Sequence, residues 1–96
     1  MDLSERQFLL NMANLDEVSK EVLLQIHNRV EPGRPARALR NLGQDSVGKD
    51  DAGHQLVRVH YGNYCAGMCN GEYECVAAID SEGGLVEVRS SRNLWS

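Results

Sequence analysis

Hydrophobic positions fall into two regimes along this chain. Between residues 4 and 30, in "SERQFLLNMANLDEVSKEVLLQIHNRV", Phe8, Met12, Leu15, Val18, Val22, Ile26 and Val30 recur at steps of three or four. That period predicts a helix with one apolar stripe. Ser4 followed by Gln7 fits a capping box at its start. Asn14 with Glu17 offers a second cap, so the segment is read as one long helix, with a break near Ala13 as the alternative. "EPGRP" ends it, because Pro32 and Pro35 cannot continue the hydrogen-bond ladder and Gly33 is a natural stop. Pro35 then suits the first position of a short second helix, "PARALRNL", closed by Gly43. "GQDSVGKDDAGH" is polar and contains three glycines, so residues 44–54 are expected to be a mobile loop.

From residue 55 the period drops to two. "QLVRVHY" alternates, with Val57, Val59 and Tyr61 on one face and Leu56, Arg58 and His60 on the other. "YECVAAID" and "LVEVRS" flank "SEGG", whose glycines suit a tight hairpin. Pairing Asp80 with Leu85 puts Tyr73, Cys75, Ala77, Ile79, Val86 and Val88 on one apolar face. Val76, Ala78, Asp80, Leu85, Glu87 and Arg89 then share the other. The fold expected is α+β and two-layered, with one or two N-terminal helices packed on one face of a three-stranded antiparallel sheet. Residues 1–43 form its helical part and 55–96 its β part with a C-terminal tail, within a single domain.

Composition narrows the setting. The chain has 96 residues, 42% apolar and 25% charged, which is ordinary globular usage. A net charge of −4 argues against coating nucleic acid by bulk electrostatics. No apolar run approaches the roughly 18 residues of a membrane span, and "MDLSERQFLL" lacks a basic region before its apolar residues. The expected location is cytoplasmic, without membrane contact.

All three cysteines lie in "HYGNYCAGMCNGEYEC", headed by His60. His60, Cys65, Cys69 and Cys75 have the donors of a tetrahedral zinc site. Against zinc stand the single C-x3-C unit, the absence of a second ligand pair, and a strand alternation that points His60 away from Cys75. A Cys65–Cys69 disulfide is disfavoured in a reducing compartment. The hairpin register turns Cys75 into the core as a small apolar side chain, leaving Cys65 and Cys69 in a turn. No cofactor is expected; zinc is the alternative.

Arg29, Arg34, Arg37 and Arg40, against Glu31 alone, make a basic island in an acidic chain. A guanidinium fork suits carboxylates and phosphates. Arg34, Arg37 and Arg40 are therefore candidate contact residues, with Arg37 and Arg40 on one face of the predicted second helix. Trp95, the only tryptophan, either packs back on the core or anchors a partner. His27 is assigned to favouring the helix dipole, and His54 has no evident partner. No catalytic constellation is legible, so a non-catalytic binding or regulatory protein acting through a protein partner or self-association is expected. A nucleic-acid-binding regulator using the second helix and a small zinc-binding domain are the alternatives.

Overall fold

Ser19 starts the only helix among the described residues. The computed structural model describes residues 17–95. The Ser19 side chain accepts a hydrogen bond from the Val22 amide at 3.1 Å, and α1 runs from Lys20 to Val30. This cap opens the helix, residues 17–19 are not helical, and the expected cap at Asn14 lies outside the described residues. A single helix running from residue 4 to 30 is therefore corrected. The Ser4–Gln7 box and the stripe positions Phe8, Met12 and Leu15 lie outside the described residues. The remaining stripe holds: Val22 and Ile26 are buried with Leu23 and His27, and Val18 and Val30 pack at its ends. Fully burying an aliphatic side chain contributes on the order of 1.5–3 kcal/mol, so this face fixes α1 more firmly than its short length could.

The expected second helix is a strand. Ala38–Lys49 forms β1, which pairs antiparallel with β2 (Gln55–Cys65), from Ala38 opposite Tyr64 to Lys49 opposite Gln55. Eight residues of good local helix propensity lose to strand pairing, which satisfies the backbone along twelve residues and packs Leu39 against the core. Most of the expected mobile loop is consequently the second half of β1. The antiparallel sheet has four strands rather than three, completed by β3 (Met68–Ile79) and β4 (Leu85–Asn93) in the order β1-β2-β3-β4.

Two of the three hairpins share one turn chemistry. Asp50 Oδ1 accepts from the Ala52 and His54 amides, and Gly53 takes a φ of +86°. Asp80 Oδ1 accepts from the Glu82 and Gly84 amides, and Gly83 takes +87°. Both are Asp-x-x-Gly turns in which the carboxylate mimics a backbone acceptor. The β2–β3 hairpin instead turns on Ala66 and Gly67, both at positive φ.

The central strands carry the core. Val57, Val59 and Tyr61 of β2 and Tyr73, Cys75, Ala77 and Ile79 of β3 are buried beneath α1, as their alternation predicts. On β4 the expected register is corrected. Leu85 pairs with Ile79 and packs on the core with Val88, while Val86 is 39% exposed. The shift arises from bulges: β4 carries Val86 and Arg89 as extra residues, and β1 carries Leu42 and Val47. Such bulges break the even ladder of an edge strand and blunt its pairing with other chains.

Among the described residues no helix is long and apolar enough to cross a membrane.

Candidate binding groove beside Arg37

The chain between α1 and β1 is pinned by two buried polar side chains. His27, fully buried, uses Nε2 to donate to the Arg34 carbonyl at 2.9 Å. Asn63 of β2, 5% exposed, accepts from the Arg37 amide at 2.8 Å and donates to the Pro35 carbonyl at 3.2 Å. Arg34 and Arg37 of the basic island are therefore held in a fixed connection entering β1. His27 is a structural hydrogen-bonding centre rather than only a partner of the helix dipole.

Where that connection meets α1, an open groove of about 850 Å³ runs between the first turns of the helix and the start of β1. Val18, Leu23, Leu24 and Leu39 supply apolar lining, and Glu17, Lys20, Arg37 and Arg40 supply charge. Leu24 is 44% exposed. Gln44 Oε1 ties the two sides together, accepting from the Val18 amide at 2.9 Å and from Asn41 Nδ2 at 2.8 Å.

Charge is distributed unevenly. On the sheet, Arg58 pairs with Asp45 at 3.8 Å, Arg92 with Glu74 at 3.6 Å, and Arg89 with Glu87 at 3.0 Å and Asp50 at 3.3 Å. Lys20, Arg34 and Arg37 make no ion pair among the described residues. Arg40 lies over the Tyr64 ring at 4.9 Å from its centroid. Gly62 makes room for that ring, since a methyl group there would lie 2.7 Å from Tyr64 Cε2. Burial and then Cys69 push the Tyr64 hydroxyl up, and Arg40 opposes them.

Of the candidate contact residues, the groove brings together Arg37 and Arg40. They do not share a helix face: Arg37 precedes β1, and Arg40 sits in it opposite Gly62. The nucleic-acid reading loses the helix on which it rested. Arg34 lies in the turn just before, exposed, with its carbonyl on His27. Trp95, 56% exposed, follows β4 at the opposite edge of the sheet, where the Leu94 amide donates to the Glu72 carbonyl. Sequence reasoning missed Lys20 and Leu24, which fall beside the apolar stripe. The adjacent Leu23-Leu24 pair was the signal, because one of two neighbouring leucines must leave a single helical face.

The cysteine–histidine cluster stays dispersed. Cys75 pairs with Val59, six positions along β2 from Cys65, or about 20 Å at a strand rise of about 3.3 Å. His60 pairs with Glu74 and hydrogen-bonds Glu72 Oε2 at 3.0 Å, on the face opposite Cys75. Tyr64 lies opposite Cys69, so strand alternation sends Cys65 to the other face of the hairpin, and all three thiols are free. Among the described residues no three His, Cys, Asp or Glu side chains gather as metal ligands. His54 does have a partner: its Nδ1 lies 3.1 Å from Asp50 Oδ2. Burial alone would raise the Asp50 carboxyl, but hydrogen bonds and charge from His54, with the Ala52 amide, hold it below the usual carboxylate value.

No protein-family model matches this chain, and neither the curated proteins nor the solved structures contain a match.

Proposed function

We propose that this chain is a small non-catalytic binding or regulatory protein acting through a protein partner or self-association, with the α1–β1 groove as its contact surface. One observation carries this reading. The groove combines accessible apolar lining at Leu24 with Lys20 and Arg37, basic side chains that make no ion pair among the described residues. Elsewhere on the sheet, Arg58, Arg89 and Arg92 are paired to acids. An apolar centre with a polar rim is the usual anatomy of a protein contact.

The test compares the wild-type chain with an Arg37→Glu, Leu24→Glu double variant. Affinity capture from the native source, read by mass spectrometry, is paired with light scattering over a concentration series. A partner, or a dimer, that is present for the wild type and lost in the variant supports the reading. Identical recovery by both chains, or a strict monomer without a partner, sinks it.

A further inference from the structure

We infer that the occupant of this groove is an extended acidic segment of a partner protein, added as a strand along the first residues of β1. The inference rests on the binding role proposed above and specifies the chemistry of what binds.

Three observations converge on this occupant. First, the groove's charged residues are Lys20, Arg37 and Arg40 against Glu17, three cations to one anion, on a chain of net charge −4. The basic spot is local, so it selects for carboxylates rather than following a generally positive surface. Second, β1 is an edge strand among the described residues, and both of its bulges, at Leu42 and Val47, lie beyond residue 41. Residues 38–41 are thus its longest unbulged run at this end, and they are the part that lines the groove. Backbone pairing is available there, and the bulges blunt it further along. Third, an extended peptide presents alternate side chains to opposite sides. One set meets Val18, Leu24 and Leu39 on the α1 side, where Lys20 and Arg37 rim the groove, and the other carries carboxylates toward Arg40, which follows Leu39 and so lies on the opposite side of β1. Main-chain hydrogen bonds supply affinity in this mode, and the alternating contacts supply specificity. A single-stranded nucleic acid fits less well, because the lining holds no aromatic ring on which a base would stack.

The experiment titrates full-length protein with two fluorescein-labelled octapeptides, one alternating glutamate and leucine, the other lysine and leucine. Binding is read by polarisation, and the site by amide chemical shifts. The acidic peptide should bind saturably, about tenfold or more tighter than the basic one, and lose about tenfold in the Arg37→Glu variant. Leu24→Glu, at an exposed position, should weaken it without unfolding the chain, and shifts should centre on residues 36–41. Equal binding of the two peptides, or indifference to both variants, would overturn the inference. So would a dimer abolished by Arg37→Glu, which makes a second copy the occupant. Amide shifts in residues 1–16 on Arg37→Glu, with no peptide bound, would make the chain's own N-terminal segment the occupant, overturning it equally. A partner captured through Arg37 and Leu24 while neither peptide binds would remove the acidic strand and leave the binding role standing.

Discussion

His27 Nδ1 lies 3.0 Å from the Tyr61 hydroxyl, between side chains that are both fully buried. Because Nε2 donates to the Arg34 carbonyl, neutral His27 has its proton there, and Nδ1 accepts from Tyr61. One imidazole thus joins the helix, the central strand and the connection into β1. Removing the hydroxyl leaves a buried acceptor without a donor. Tyr61→Phe should therefore lower unfolding stability by about 1–3 kcal/mol in urea titrations, although the ring is retained. A change within about 0.3 kcal/mol would mean that the bond is worth no more in the core than in water.

Tyr73 provides the opposite case in the same cluster. Its ring stacks on Tyr61 at a centroid distance of 5.2 Å and meets His27 edge-on, yet its buried hydroxyl has no hydrogen-bond partner among the described residues. An unsatisfied buried hydroxyl costs desolvation and returns nothing. Tyr73→Phe should leave stability unchanged or raise it by up to about 1 kcal/mol, on the same titration that shows the loss for Tyr61→Phe. A loss as large as that of Tyr61→Phe would show that a partner, such as a buried water, satisfies this oxygen.

The central half of this fold is legible from alternation and the edges are not. Val57, Val59, Tyr61, Tyr73, Cys75, Ala77 and Ile79 belong to strands paired on both sides, where a slip would expose a whole apolar set, so their period survives intact. Edge strands tolerate extra residues, and four of the five bulged positions, Leu42, Val47, Val86 and Arg89, lie on them and each break the count by one, the fifth being Asn70 beside the β2–β3 turn. Ala78–Glu87 and Ala77–Val88 keep the expected pairing, and the bulge at Val86 moves Leu85 from Asp80 to Ile79. β1 escaped because "PARALRNL" has helical propensity and its strand partner is remote in sequence. A local signal did exist: "DDAGH" has the same Asp-x-x-Gly spacing as "DSEGG" and builds the same turn. Of the groove, its arginines were legible and its apolar lining was not, because Leu39 belonged to the misread helix.

Asn63 should prove the structural key to the groove. Its amide serves the Arg37 N–H and the Pro35 carbonyl at once, and both partners lie in the connection that positions Arg37. Asn63→Ala should cost about 1–3 kcal/mol in urea titrations. It should also shift the backbone resonances of residues 35–38 more than those of the distant β3–β4 turn. Uniform small shifts with unchanged stability would show that the connection is held by other contacts.

Cys75 links the packing of the sheet to its behaviour at alkaline pH. The side chain is 1% exposed, whereas Cys65 is exposed and Cys69 intermediate. A thiol reagent should therefore label Cys65 first and Cys69 next, and reach Cys75 only on unfolding. Burial, and then the Glu74 carboxylate, push the Cys75 thiol from 9.0 up to about 11, against the opposing Val59 backbone hydrogen bond. Burial likewise raises the Tyr61 hydroxyl, with Cys75, Tyr73 and Glu31 adding to it. A folded-state value above the unfolded one means that the unfolded chain releases its proton first. The stability contribution of the neutral thiol is thus complete below pH 9.0 and is lost as the pH rises through about 11. Urea midpoints should hold steady up to about pH 9 and fall above it, with a shallower fall for Cys75→Ala once compared with that variant's own neutral midpoint. An identical fall in wild type and variant would assign the alkaline loss to the raised tyrosine hydroxyls rather than to the thiol. Rapid labelling of Cys75 in the native state would place that side chain outside the core and take the β2–β3 register down with it.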